Sequence, residues 1–212
     1  MDQVGIDAVH FETMTGTVEI ASATGNGDVR SKNGLTAVIA LDGPGTYYFQ
    51  NVNADTVSKG TGSGTVTIPL PSAPEGSNTV RFQYRNARNF VSPIYEKTFF
   101  VDGVAPMKSV VVAPPANSSG STVAFDWSDS EDSGSGLPSV PYFYELSGDS
   151  GFAIVTESGA TSSTGVILNL AEGTNYFRVS VSDVAGNVTV SDPVSVFVDT
   201  LAPDAPTELS LN

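Results

Sequence analysis

The chain has 212 residues, with 9 Lys or Arg against 23 Asp or Glu, and its formal net charge is −14 at pH 7. This charge disfavours nucleic acid and anionic lipid as partners, because both need a basic footprint, and it favours cation binding. There is no cysteine, which excludes disulfides and thiolate metal sites, and the 40% of hydrophobic residues are enough to build a core without them.

The first half of the chain contains seven apolar or alternating runs, the pattern typical of strands with one buried face. They are predicted at residues 9–13, 17–21, 35–41, 46–52, 65–70, 79–84 and 95–101. Glycine-rich sequences separate several of these runs, including DGPG at 42–45 and GTGSG at 60–64. Both are predicted as turns, and the second lacks the Gly-Lys-Ser/Thr of a phosphate loop, so it is interpreted as a flexible hairpin.

The second half repeats this plan with strands predicted at 109–112, 122–127, 142–146, 152–156, 165–170, 176–182 and 194–198. No helical period of any length occurs, which predicts an all-β protein. Trp127 and Tyr176 lie on the second and sixth of these strands, and both side chains are expected to face the core. No run of eighteen apolar residues occurs, so no membrane insertion is predicted in this segment.

An internal repeat relates the two halves at an offset of 97 residues. The aligned positions are EGSN at 75–78 with EGTN at 172–175, Arg81 with Arg178, and Asp102 with Asp199. A fixed period near one hundred residues indicates a tandem array of domains. We predict one domain at 1–103, a second at 104–201, and a linker with the start of a truncated third domain at 202–212.

Three features of the second half follow one another along the chain: Leu170 six residues before Tyr176, the loop DVAGN at 183–187, and the exit VDTLAPDAP at 198–206. Together they resemble the tandem bacterial immunoglobulin-like and fibronectin type III-like domains of large surface proteins and adhesins. The resemblance implies two tandem immunoglobulin-like (fibronectin type III-like) β-sandwiches of about seven strands each. It also implies that Tyr176 forms a tyrosine corner, which the first domain lacks because Thr79 stands there.

The sequence contains no recognisable catalytic motif. His10 is the single histidine, no GxSxG sequence occurs, and zinc constellations need ligands that the chain does not have. We interpret His10 as a strand residue and predict that the protein is not an enzyme.

Acidic and amide side chains cluster in three segments of the second domain and its entry. In a seven-strand sandwich the loop between the second and third strands (BC loop) and the loop between the sixth and seventh (FG loop) lie at the pole where the chain enters. The predicted ligands are Asp102 from the linker, Asp129, Glu131 and Asp132 from the BC loop, and Asp183 and Asn187 from the FG loop. Oxygen ligands from several segments suit Ca²⁺, which accepts about six to eight of them. The alternative is a solvated acidic surface in which Asp183 only caps the FG turn.

The tandem period and the absence of catalytic motifs favour a structural stalk or spacer, with neighbouring domains of the same long chain as its partners. The resemblance implies that the parent is a bacterial cell-surface or secreted protein, extracellular and adhesin-like. The alternative is an accessory module of a secreted enzyme that binds a cell-surface glycan or a protein. Tyr47, Tyr48, Tyr142 and Tyr144 would then form an exposed aromatic platform, so their arrangement discriminates between the two.

Overall fold

The computed structural model describes residues 16–22, 24–32, 34–54, 56–71 and 73–204. The predicted strand at 9–13, with His10, and most of the predicted linker at 202–212 lie outside these residues. The chain divides into two compact units, Met1–Gly103 and Val104–Asn212. Apart from the short 3₁₀ helix Val52–Ala54, every regular element among the described residues is a strand. In the part of the chain that the structure describes, no helix has the length and apolar character needed to cross a membrane.

The described residues of unit 1 contain six strands, β1 (Gly16–Ala21), β2 (Val29–Arg30), β3 (Thr36–Asn51), β4 (Thr56–Pro69), β5 (Gly76–Asn86) and β6 (Tyr95–Val101). The first half of β3 pairs with β1 and the second half pairs with β5, while β4 follows β3 along both halves. The two long strands therefore belong to both layers of the sandwich. Between the layers, alternate residues of β1, β3, β5 and β6 form one core.

Two predicted turns of unit 1 are wrong, because residues 42–45 and 60–64 lie inside β3 and β4. The pairing of β3 with β4 shifts register between Leu41 and Gly45, so Pro44 is not required to donate a ladder hydrogen bond. In β4, a Cβ atom at Gly60 would collide with the ring of Tyr47 on the paired strand. That glycine admits an aromatic ring across the strand and does not mark a hairpin.

Unit 2 contains nine strands among its described residues, two more than predicted. They are β7 (Val111–Val112), β8 (Asn117–Ser118), β9 (Thr122–Trp127), β10 (Tyr142–Ser147), β11 (Val155–Thr161), β12 (Gly165–Asn169), β13 (Gly173–Ser182), β14 (Val188–Val190) and β15 (Val194–Val198). One sheet has the order β12-β9-β7, and the other has the order β11-β10-β13-β15-β8 with β14 paired to β13. Phe152, predicted to begin a strand, precedes β11 in a turn and has a φ of 55°.

The core of unit 2 lies between its two sheets and contains a cluster of aromatic rings among aliphatic side chains. Phe125 and Phe177 stack with ring centroids 4.1 Å apart, and Tyr142 meets Trp127 edge-on at 5.8 Å. Trp127 is 4% exposed, which confirms its predicted core position. Stacked and edge-on ring contacts add to the stabilisation from apolar burial.

The tyrosine corner predicted at Tyr176 is wrong. Strand β13 buries Asn175 and Phe177, so the half-buried Tyr176 lies on the opposite face, and its hydroxyl has no hydrogen bond to a described residue. The corner is closed by Asn175, whose Nδ2 donates to the carbonyls of Ala171 at 2.8 Å and Gly173 at 3.0 Å.

Unit 1 has the same corner, contrary to the prediction that it lacks one. Asn78 is buried, and its Nδ2 donates to the carbonyls of Pro74 at 2.8 Å and Gly76 at 2.9 Å. In both units the glycine of the corner has a positive φ, 90° at Gly76 and 92° at Gly173, which favours glycine at that position. The repeat in the sequence therefore preserves an asparagine corner.

Candidate functional site

One end of unit 2 gathers its entry segment and two loops. The BC loop spans residues 128–141 between β9 and β10, and the FG loop spans residues 183–187 between β13 and β14. The backbone N–H of Met107 donates to Glu131 O at 2.8 Å, and Thr189 Oγ1 donates to Pro106 O at 2.7 Å. The entry segment is therefore fixed to both sides of this pole, as the sandwich topology predicts.

The BC and FG loops also bond directly to each other. The N–H of Val184 donates to Gly136 O at 3.0 Å, and the N–H of Ala185 donates to Ser135 Oγ at 3.2 Å. Gly136 in turn donates its own N–H to Asp132 Oδ2 at 2.6 Å, which orients that carboxylate. The contributions of Ser135 and Gly136 were not predicted, although the sequence SGSG directly after the acidic run is their signal.

Asp183 has a structural role in the FG loop. Its Oδ1 accepts the N–H of Asn187 at 2.8 Å, and its Oδ2 accepts Asn187 Nδ2 at 2.7 Å. The turn is closed by the N–H of Asp183, which donates to Asn187 O at 3.1 Å. Asp183 therefore caps the FG turn, as in the alternative interpretation of the acidic loops, and Asn187 presents its amide nitrogen to the carboxylate.

Only part of the predicted ligand set comes together within unit 2. Carboxylate oxygens of Asp132 and Asp183 lie within 4.8 Å of each other, whereas Asp129 and Glu131 are exposed and lie apart from this pair. Asp102 is the second-last residue of unit 1, where its N–H donates to Arg30 O at 2.9 Å. Two carboxylates at this separation repel each other unless a cation or a hydrogen-bond donor lies between them.

The four tyrosines of the predicted platform do not form one surface. Tyr142 is 4% exposed and its hydroxyl oxygen accepts the N–H of Ser130 at 3.1 Å inside unit 2. Tyr47 and Tyr144 pack half-buried against the cores of different units. Tyr48, at 38%, is the most exposed of the four. A continuous aromatic platform is therefore excluded as a binding surface.

No protein-family model matches the chain, and no curated protein matches it. Among solved structures, the chain is similar to fibronectin type III-like modules of CbhA from Clostridium thermocellum, with 18% identity, coverage of 91% of this chain and 100% of that chain, and a TM-score of 0.58. It is also similar to domains of titin, with 13% identity, coverage of 88% and 68%, and a TM-score of 0.50. These similarities confirm the predicted fold class: the protein is built from immunoglobulin-like, fibronectin type III-like β-sandwiches.

Proposed function

We propose that the chain is a non-catalytic spacer that carries tension in an extracellular multidomain protein, and that its partners are neighbouring domains of the same chain. The observation that carries this proposal is a parallel strand pair in each unit. An early strand of the unit, β2 or β8, pairs in parallel with its last strand, β6 or β15.

The hydrogen bonds of the parallel pairs are equivalent in the two units. In unit 2, Phe197 donates its N–H to Ala116 O and Asp199 donates its N–H to Ser118 O, each at 2.9 Å. In unit 1, Phe100 and Asp102 donate in the same way to carbonyls of the segment around β2, also at 2.9 Å. When a unit is pulled at its two ends, paired parallel strands slide in opposite directions along their axes. Their hydrogen bonds are then loaded together and not one after another, which suits a spacer under tension.

Stretching the full chain between its two ends with an optical trap tests the spacer role. We expect two unfolding steps, each releasing about 30 nm of chain at about 3.6 Å per residue. Phe197→Pro removes the N–H that bonds Ala116 and should lower one of the two rupture forces. Phe197→Ala keeps that N–H and is the matched control. Equal rupture forces for both variants and the unmodified chain would refute the mechanical role of this strand pair.

We further propose that the spacer binds Ca²⁺ where the chain enters unit 2. Asp132 and Asp183 of unit 2 would be its central ligands. The support is the short separation between the Asp132 and Asp183 carboxylates and the hydrogen bonds that fix both loops. A cation of this kind relieves the repulsion between carboxylates and accepts oxygen ligands in flexible geometry.

Asp129 and Glu131 are outside this narrower ligand set, since both are exposed and apart from the pair. Asn187 would act by holding Asp183, because its amide nitrogen bonds the carboxylate. Each unit has its own core, so removal of Ca²⁺ should leave the strand content unchanged.

Calorimetric titration of the chelator-treated protein with CaCl₂ tests the proposed site. We expect a dissociation constant on the order of 10⁻⁴ to 10⁻³ M, the range of extracellular calcium modules. Asp132→Asn keeps an oxygen acceptor for Gly136 but removes the charge, so it should weaken binding by about tenfold or more. Asp129→Asn, in the same loop, should leave binding unchanged. Absence of binding heat, or equal weakening of Ca²⁺ binding in the two variants, would mean that the acidic loops are only a solvated surface.

A further inference from the structure

A cavity of about 220 Å³ lies on the outer face of unit 1, on the side of β3 and β5 that points away from the core. We call it the tyrosine cavity, and its side-chain lining is Tyr48, Gln50, Arg81, Gln83 and Ile94. Phe49 and Phe82 also border it, but both side chains are buried in the core. Tyr48 and Ile94 are 38% and 60% exposed, so an aromatic ring and an aliphatic group are both open to solvent here.

The outer face around the tyrosine cavity is basic. In the strand register Lys59 and Gln83 lie on either side of Tyr48, and Arg85 lies opposite the next outward residue of β3, Thr46. Lys59 Nζ is 5.5 Å from the centre of the Tyr48 ring. Arg81 donates to Glu96 and is thereby held at the cavity edge.

The charge of the protein is divided unequally between the units. Lys and Arg number seven in unit 1, namely Arg30, Lys32, Lys59, Arg81, Arg85, Arg88 and Lys97, and two in unit 2, Lys108 and Arg178. Asp and Glu number ten in unit 1 and thirteen in unit 2. The cavity is therefore a locally basic surface on the less acidic unit, and charge complementarity favours an anionic ligand.

Unit 2 shows what covers the equivalent surface. Glu145 pairs with Arg178 across β10 and β13 just as Gln50 pairs with Arg81 across β3 and β5. In unit 2 the ring of Phe152 lies over Arg178, with 4.2 Å between its centroid and the guanidinium carbon, and Phe152 is buried. In unit 1 the corresponding place is the cavity itself. One unit thus fills this surface with a ring of its own, and the other leaves room for a ring from a ligand.

We propose that the tyrosine cavity binds a saccharide that carries a carboxylate, such as a uronic acid. The apolar face of the sugar ring would lie on Tyr48 and Ile94, and its hydroxyls would bond the amides of Gln50 and Gln83. Gln83 Nε2 already donates to Ser92 O at 3.0 Å, which fixes that amide. Lys59 and Arg85 are the cations placed to meet the carboxylate. Few oriented polar groups around an apolar floor are typical of small-ligand sites.

An extended peptide fits this surface less well than a saccharide. Strand β3 is paired on both sides at the cavity, with β4 and with β5, so it has no open edge to which a peptide strand could add. A peptide would have to bind through side chains alone. This binding activity goes beyond the spacer role and does not depend on it, because the outer face of β3 and β5 takes no part in the parallel strand pairs that carry the spacer proposal.

Titration of the isotope-labelled full chain with trigalacturonate, followed by NMR chemical shifts at low salt, tests the proposal. We expect shifts centred on β3 and β5 that weaken as salt is added. Tyr48→Ala should weaken binding by about tenfold or more, and Arg85→Gln by about threefold with a smaller salt dependence. Phe143→Ala, at the equivalent position of unit 2 and 43% exposed, is the matched control and should leave binding unchanged.

Two comparison ligands decide between the possible occupants. The neutral galactose trimer should bind at least about threefold more weakly than trigalacturonate, because it lacks the carboxylates. An acidic peptide with one phenylalanine should produce no comparable shifts. Equal binding of the neutral trimer, preferential binding of the peptide, absence of any shift, or an unchanged affinity in both Tyr48→Ala and Arg85→Gln would each overturn the proposal.

Discussion

Replacing Asn175 by alanine is expected to destabilise unit 2 more than removing the hydroxyl of its neighbour Tyr176. Asn175→Ala abolishes the two hydrogen bonds to Ala171 O and Gly173 O, which are 2.8 and 3.0 Å long in a buried corner. At about 0.5–1.5 kcal/mol for each bond, the free energy of unfolding should fall by about 1–3 kcal/mol. For a domain of this size, each kcal/mol of lost stability lowers the midpoint temperature of thermal unfolding by about 4–8 °C.

The assay uses the single tryptophan of the chain. Trp127 lies in the core of unit 2, so its fluorescence follows the unfolding of that unit alone, while far-ultraviolet circular dichroism follows both. Thermal melts of Asn175→Ala should shift the fluorescence transition downward. Tyr176→Phe is the control and should shift it little, because that hydroxyl bonds no described residue. A larger loss in Tyr176→Phe than in Asn175→Ala would refute the asparagine corner.

The equivalent change in unit 1 should cost less. Asn78 makes the same two hydrogen bonds, but its Oδ1 is buried with no hydrogen bond to a described residue. Asn78→Ala removes this unsatisfied acceptor together with the two hydrogen bonds. The buried acceptor costs about 1–3 kcal/mol of desolvation, so its removal offsets much of the stability lost with those bonds. The circular dichroism transition should move slightly, and the Trp127 fluorescence transition should not move.

Three further changes test the packing and the charges. Phe177→Ala removes a fully buried ring from the core of unit 2 and should cost about 3–5 kcal/mol in urea unfolding; a loss below about 1 kcal/mol would mean that the core is misassigned. Gly159→Val places a Cβ atom 2.7 Å from the Tyr144 hydroxyl and should cost about 1–3 kcal/mol, whereas no change would show that the ring is free to move. The hydrogen bond and charge of Lys97, 2.7 Å away, hold the pKa of Asp28 below its ordinary value. The ion pair therefore stabilises unit 1 above about pH 4, and this stabilisation is lost as the pH falls through the lowered pKa. In Asp28→Asn, the midpoint of unfolding followed by circular dichroism should therefore fall less on acidification than in the unmodified chain. The same loss of stability on acidification in that variant and in the unmodified chain would contradict a stabilising ion pair.

Alternation along single strands was enough to predict much of the fold. The strands Tyr95–Val101, Thr122–Trp127 and Val194–Val198 have the bounds expected from the sequence, since inward and outward side chains alternate along each and a polar residue follows its end. The FG turn was also readable, because an Asp and an Asn four residues apart can close it through their own side chains. These features depend on local chemistry, which a sequence displays directly.

Tertiary structure decided which neighbour of a pair faces inward. Asn175 and Tyr176 are adjacent, and the period of two places one on each face, so the register of β13 against β10 and β15 determines which is buried. The larger side chain was expected inside, but the buried polar amide is favoured because it satisfies two carbonyls of the corner.

Pairing across the sheet likewise decided the glycine-rich segments of unit 1. Gly60 has a sequence context typical of a turn, yet it lies within β4 because the Tyr47 ring of β3 needs the space that a Cβ atom would occupy. Tertiary contacts also decided the candidate site. The BC loop bends back onto the FG loop through hydrogen bonds, and this brings Asp132 close to Asp183 and leaves Asp129 apart from both. Such contacts join residues about fifty positions apart, so the sequence determined which ligands exist and the folded chain determined which of them meet.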